Sequence, residues 1–462
     1  MAKQPKAKVK QVRNVKNLRL KLFLIPAVAF FAKLIWISQI QGHGLLGADG
    51  ENYISALDGL LKDGLFSTVR NLHYWPAGYS ILMWPIAAIF KGSYVTIVGI
   101  LQSLIYFLAC AYFVDQLRKT RLSRFTYAVA FIFAFNPTLS MNTLAIGYET
   151  STAAFIILAI GFIIAHFHKP EQKVASKEVV LASVSFALAT FMQPRLAIVA
   201  FLILVLWGLA TQSKKTLALF LALSIAIVAV GPAIMVLRNV KAMHFASIST
   251  NLGTTMFIGA GDEATGGYNG KYNGVPCPAA DVGNEAQVDS AKVKCAISWY
   301  LHNPAKFLKL SIKKAIFFWS PWFGPVASGT MARNPWLKIH PLKNTVKTQE
   351  GINMVYGNSG KLVSWIWLLG QLFFMFFGFR YLWRANGLER LLGVSALSGV
   401  VISWLTSIAT IGDHRFRIPT MTLSLFLQVI GFVSLFGGKS RLTGSVNPLH
   451  WKSLERKANL LP

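Results

Sequence analysis

The run LFLIPAVAFFAKLIWISQI, residues 22–40, is followed at once by GHGLLGADGENYISALDGLLKDGLFSTVRNLHYWPAGYS, residues 42–80, and this pair decides the fold class. The first segment is apolar over enough residues to cross a bilayer as one helix. The second is polar and places Asp49 and Glu51 within about ten residues of the membrane exit. Carboxylates are costly near hydrocarbon, so acids held at such an exit usually carry a function. The function expected here is that of a base at a membrane surface.

The rest of the chain agrees with that opening. It is 54% hydrophobic and 14% charged, and its apolar runs are continuous rather than alternating. That pattern excludes a soluble globule and a closed β-barrel, and it predicts an all-α polytopic membrane protein. The net charge of +29 does not imply a nucleic-acid partner, because the basic residues lie in tails and short loops between apolar runs, the distribution that orients a membrane protein.

Charge placement gives the topology. Eight Lys/Arg and no acid precede the first span, which keeps that end in the cytoplasm and puts residues 41–76 outside. The basic loop DQLRKTRLSR, residues 115–124, is expected inside, so a single crossing near 95–114 separates the two. Residues 79–90, interrupted by Pro85, read as a helix on the outer surface. Alternation then places spans near 125–141, 148–166, 178–193, 195–210, 216–237, 362–382, 391–411 and 417–436. The expectation is about ten spans (range 10–13), both termini cytoplasmic and one large extracytoplasmic loop. The predicted regions are 1–237, with a catalytic first outer loop at 41–76, then the loop region 238–360, then 361–462 with a basic cytoplasmic tail. Residues 305–323 carry Lys309, Lys313 and Lys314 and suit a surface helix better than a span. Cys110 falls in a span, where a small packing residue suffices, while Cys277 and Cys295 share the outer loop and are equally compatible with a bridge or free thiols.

This topology sorts polar residues onto one face. Asp49, Glu51, Arg70, His73, Glu149, Arg195, Arg238, His244, Asp413, His414, Arg415 and Arg417 all map at or near the outer membrane surface. Arginine forks match phosphate oxygens, and a carboxylate can deprotonate an acceptor hydroxyl. Singly, an arginine at a helix end commonly snorkels to headgroups, Glu149 suits a helix N-terminus, and the aromatic residues of HYWPAGY suit an interfacial belt. Together they fit transfer from a lipid-phosphate donor. Arg195, Arg238, Arg415 and Arg417 are the candidates for the donor phosphate, Asp49 and Glu51 for the base, and Tyr53, Tyr74, Trp75, Glu149 and His414 for substrate contact.

GADGENYISALDGLLKDGLF followed by YWPAGYSILMWPIAAIFKG resembles the first outer loop of the GT-C superfamily, in the branch of protein O-mannosyltransferase-like and aminoarabinose-transferase-like enzymes. The matching residues are Asp49, Tyr53, Ala56 and the run Pro76, Ala77, Gly78, Tyr79. Residues 236–268 resemble the segment entering the large outer loop of such enzymes, and HRFRIPTMTL, residues 414–423, is similar to the opening of their last helix. NPTLSMNTLAIGYET resembles their Glu-bearing helix start. The resemblance implies an integral-membrane glycosyltransferase with a polyprenyl-phosphate-sugar donor, inverting displacement, and Asp49 as base. Gly50 separates Asp49 from Glu51, which departs from the protein-mannosyltransferase pattern and leaves lipid, glycan or protein as acceptor. No ligand spacing indicates a metal, so the expectation is no cofactor, with a divalent ion left open. The expected setting is a bacterial plasma membrane with an extracytoplasmic site, and membrane lipids as further partners. The alternatives are a ligase using a polyprenyl-diphosphate-linked glycan and a non-enzymatic lipid or solute transporter. Sequence fixes neither the sugar nor the oligomeric state.

Overall fold

The computed structural model describes residues 5–38, 45–46, 49–169, 173–268, 274–321 and 357–437. The predicted cytoplasmic tail 440–462, the loop stretch 322–356 and parts of the first outer loop (41–44 and 47–48) lie outside the described residues. In chain order the helices are α1 Pro5–Ser38, α2 Gly50–Asp63, α3 Asn71–Tyr74, α4 Gly78–Phe90, α5 Tyr94–Leu117, α6 Thr126–Phe135, α7 Pro137–Ser140, α8 Glu149–Phe167 and α9 Lys177–Met192. They continue as α10 Ala197–Thr211, α11 Lys214–Met243, α12 Leu252–Ile258, α13 Glu285–His302 and α14 Pro304–Trp319. The last three are α15 Asn358–Arg384, α16 Leu388–Ala409 and α17 Ile418–Phe436. The only strands among the described residues are β1 Leu45–Leu46 and β2 Ala145–Ile146, paired in parallel.

This is an all-helical membrane protein. Among the described residues, seven helical stretches are long and apolar enough to cross a bilayer. Each of the ten predicted spans falls mainly on helix, but three lie outside those seven: α1, α6 and α9, of which α6 has 10 residues and α9 has 16. At 1.5 Å per residue these are shorter than the roughly 30 Å of hydrocarbon, so length alone does not make them crossings. α14 is not among the seven; it is an amphipathic 16-residue helix that leaves Lys309 and Lys313 exposed and buries Lys314. α11 runs through position 237, where the sequence reading ended its first region.

The helices form where the sequence dictates. α2 buries Tyr53, Ala56, Leu57 and Leu60, the i, i+3, i+4, i+7 spacing of one helical face. That face packs on Tyr79, Met83, Val98, Ile146, Tyr148 and Met192, and the helix stops at Gly64, whose φ of 73° favours glycine. At Gly78 a Cβ would lie 1.9 Å from the Phe191 carbonyl oxygen, so the entry to α4 can touch the end of α9 only without a side chain. The main core joins α5, α6, α8, α9, α10, α16 and α17 through residues such as Phe113, Phe133, Ile160, Phe186, Leu204, Val400 and Phe426.

Outside this bundle, α12 to α14 are the described helices of the large loop region. Met256, Ala260, Val275 and Ala296 make its small core. A disulfide links Cys277 to Cys295, which decides the pairing that the sequence left open. Asn284 and Gln287 form a capping box at the start of α13, and Pro304 opens α14 where its missing N–H costs nothing. The Lys314 ammonium donates to the Ile408 carbonyl at 2.8 Å and to the Tyr300 hydroxyl at 3.2 Å, pinning α14 to the end of α16. Burial pushes Lys314 down to about 7. The unfolded chain therefore holds a proton that the fold releases between about pH 7 and the ordinary lysine value. Stability should rise with pH across that window, by at most about 1.4 kcal/mol per pH unit. Melting of the Lys314→Met variant should lack this rise, and an unchanged slope would show that Lys314 does not cause it.

For topology, Lys62 at the end of α2 and Lys214 at the start of α11 are both exposed and stand at opposite ends of the bundle. Lys62→Cys should react with an impermeant maleimide in spheroplasts, and Lys214→Cys only after permeabilisation. The reverse pattern would invert the orientation.

Candidate functional site

Asp49 stands at the N-cap of α2, reached through β1. β1 is held by β2, and β2 is fixed by a buried polar network. Gln102 donates to the Thr143 and Ala145 carbonyls at 3.1 and 3.0 Å, and its own carbonyl accepts from Tyr79 and Ser151. The Lys33 ammonium of α1 donates to the Thr143 hydroxyl at 3.1 Å. The turn before α8 is thus anchored on α1 and α5, and it carries Tyr148 and Glu149. The Tyr53 ring meets Tyr79 edge-on at 4.9 Å and Tyr148 at 6.3 Å.

The third contribution comes from the start of α17. Asp413 caps the 3₁₀ turn His414–Arg417 by accepting the Arg415 N–H at 2.9 Å. Arg415 Nη1 then donates to Asp49 Oδ2 at 2.8 Å, and its Nε lies 3.5 Å from Asp413 Oδ2. A turn with three residues per revolution sets positions 415 and 417 about 120° apart around its axis, so the two arginines do not share a face. Arg417 points the other way, donating to the Trp319 carbonyl at 3.1 Å and Gln371 Oε1 at 2.9 Å. His414, on the Arg417 side of the turn, is 1% exposed.

A cavity of about 420 Å³ opens beside this cluster. Arg415, Arg195, Tyr148 and Trp75 line it on one side, and Ser247, Ser249, Asn251, Thr255 and Asp289 on another. Arg195 follows Pro194 in the turn after α9; its guanidinium lies 4.1 Å from the Phe416 ring centroid and donates to the Tyr148 hydroxyl at 3.3 Å. Asp289 accepts the Gly253 N–H at 2.7 Å, and burial pushes its carboxyl up from the ordinary range.

The first outer loop is clamped to the large loop nearby. Glu285 accepts from Arg70 at 3.1 Å, pairs with His73 at 3.0 Å, and meets the Thr250 hydroxyl at 3.3 Å. Burial, more than Glu285 offsets, lowers the His73 pKa. Tyr74 stacks under Arg70 at 4.5 Å rather than lining the cavity, and burial raises its phenol.

Of the predicted residues, Trp75, Arg195 and Arg415 line this cavity; Asp49 reaches it through its contact with Arg415, and Tyr53 is buried behind Tyr148. Glu51 is exposed in the first turn of α2, and Glu149 is 2% exposed at the start of α8. Arg238 and Arg417 are held elsewhere. Arg238 is 1% exposed and donates to the carbonyls of Leu65, Ser67 and Leu72 and to Asn239 Oδ1. Those partners make it the clamp of the loop that follows α2. Arg238→Ala should strand three carbonyls and destabilise the protein by about 2–4 kcal/mol, read as a lower melting temperature, with donor affinity kept in the folded fraction. Unchanged melting with weakened donor binding would return Arg238 to the phosphate. Tyr148, Asp289 and the hydroxyl-bearing wall escaped the sequence reading; the position of Tyr148 immediately before Glu149 was the available signal.

No family model matches the chain, and no curated protein matches it in sequence. It is similar to solved structures of an archaeal oligosaccharyltransferase, AglB from Archaeoglobus fulgidus. One is a complex with an inhibitory peptide and a dolichol-phosphate: 13% identity, TM-score 0.45, covering 96% of this chain and 56% of that one. A second is tethered to an acceptor peptide containing an NVT sequon: 13% identity, TM-score 0.48, covering 96% and 53%. A third is a complex with Zn and sulfate: 13% identity, TM-score 0.46, covering 94% and 52%. The chain spans about half the length of these structures. Similarity at this level assigns no residue a role.

The expectation of no cofactor is corrected by the complex with Zn and sulfate. Among the described residues, no group of three or more His, Cys, Asp or Glu side chains is placed to hold a metal ion. The Asp49 carboxylate faces Arg415 instead. The described side chains as arranged do not fit a metal, and no step below passes through one.

Proposed function

We propose that this chain is a GT-C type glycosyltransferase that moves a sugar from a polyprenyl-phosphate donor to an acceptor hydroxyl at the extracytoplasmic face of a bacterial plasma membrane. The single observation that carries the reading is Arg415, which touches Asp49 at 2.8 Å and also lines the cavity shared with Arg195. One guanidinium thereby couples a carboxylate base to a phosphate-sized cationic wall.

The donor phosphate sits against Arg195 and Arg415, whose forks match its oxygens. The sugar faces Ser247, Ser249, Asn251, Thr255 and Asp289, a wall suited to hydroxyl recognition. Asp49, oriented by Arg415, accepts the proton of the acceptor hydroxyl as that oxygen attacks the anomeric carbon from the face opposite the phosphate. The bond from carbon to phosphate oxygen breaks with inversion, and the arginines hold the charge gathering on the leaving phosphate. Ten crossings, with α6 and α9 as short ones inside the bundle, would set this face outside.

Purified protein incubated with a panel of polyprenyl-phosphate sugars should release the sugar from at least one of them when an acceptor is supplied. Release only from diphosphate-linked glycans would favour a ligase, and transport without release would overturn the enzymatic reading.

A further inference from the structure

We propose that a second basic crevice, at the end of the bundle away from Asp49, binds the phosphate headgroup of an anionic phospholipid in the facing leaflet. The crevice has a volume of about 630 Å³ and is lined by Phe377, Arg380, Tyr381, Arg384 and Ala385 of α15 and its end, and by Ser434 of α17. Its depth in the membrane follows from α17. That helix begins beside Asp49 through Arg415, and Ser434 lies 19 residues further along. At 1.5 Å per residue this is about 28 Å, close to the hydrocarbon thickness of a bilayer. The crevice therefore lies at the opposite headgroup level from the Asp49 site.

Among the described residues its charge is uncompensated. Arg380 and Arg384 are both exposed and stand one turn apart on the same face of α15. Among the described residues no acid lines the crevice, and Glu389, on the following turn, is 2% exposed and outside it. Arg124 stacks on the Tyr381 ring at 5.1 Å, adding a third cation at its edge. Arg390 belongs to the frame: it donates to the Trp383 and Ala385 carbonyls at 3.1 and 3.2 Å and fixes the turn after α15.

A neighbouring cavity at the same end offers the contrast. Arg19 and Arg118 line it with Asp115, which binds them at 3.2 and 2.8 Å. Those arginines are already paired, whereas Arg380 and Arg384 are not offered an acid. Below the crevice α15 exposes Phe373 and Phe376, an apolar track suited to acyl chains. That track favours a lipid over a free anion, and basic pockets between membrane helices are known binders of anionic headgroups.

The test is lipid titration of the full chain in detergent, read by native mass spectrometry, with phosphatidylglycerol, phosphatidylcholine and inorganic phosphate as probes. Phosphatidylglycerol should bind in preference to phosphatidylcholine. R380A/R384A should weaken phosphatidylglycerol binding roughly 30-fold at about tenfold or less per arginine, and R380K/R384K should retain most of it. K214A/K215A removes the same charge from exposed positions at the same end and should change binding by less than about twofold if the site is local. Equal loss in both alanine pairs would reduce the crevice to general surface attraction. Equal affinity for the two lipids, or saturation by inorganic phosphate without lipid, would overturn the proposal. None of these outcomes depends on what chemistry occurs at Asp49.

Discussion

Turnover of the Asp49→Asn variant is expected to fall roughly a hundred- to ten-thousand-fold, the usual range for loss of a general base. Asn keeps the shape and can still accept a hydrogen bond from Arg415 through its carbonyl oxygen, but it cannot take a proton. Asp49 is part-exposed at the N-cap of a surface helix, so the fold and donor binding should survive. Glu51→Gln should be the milder change, because that side chain is exposed and turned to solvent. Single-turnover measurement with saturating donor separates the outcomes. Near-normal turnover with Asn at 49 and loss with Gln at 51 would move the base to Glu51.

Arg415→Ala should be nearly as damaging, for two reasons that can be separated. It removes a cation from the phosphate wall, where loss of one preorganised group costs on the order of a hundred- to a thousand-fold. It also releases Asp49 from its 2.8 Å contact. Lys at 415 should restore part of the charge effect but not the fork that reaches Asp49 and Asp413 together. The double variant with Asp49→Asn should be far less impaired than the two single losses multiplied, since both act through one contact. Full multiplicativity would mean that Arg415 and Asp49 work independently and that the coupling proposed for them is absent.

Much of this architecture was legible in the residues. The apolar runs and the basic loops placed helix at the expected spans. Assignment of arginines to a face was legible, but their direction was not. Arg415 and Arg417 look equivalent in HRFRIP, and only the 3₁₀ turn sends one to Asp49 and the other to Gln371. Arg238 sits at a helix end like any snorkelling arginine, and nothing local announces that its acceptors are carbonyls 166 to 173 residues earlier. Asp289 was invisible for the same reason: its place at the cavity depends on how α13 docks on α12, a tertiary fact without a short-range pattern.

The contact between Asp49 and Arg415 joins residues 366 positions apart. At ordinary synthesis rates of about 5–20 residues per second, the first outer loop exists for roughly 20 to 70 seconds before its arginine partner is made. On the proposed reading, a nascent or truncated chain carries the base without the cation that aims it, and it cannot consume donor. Of the described helices α17 enters the membrane last, and on that reading it is also the one that completes the site, so the sugar-lipid pool is protected from half-built copies by the order of the sequence itself.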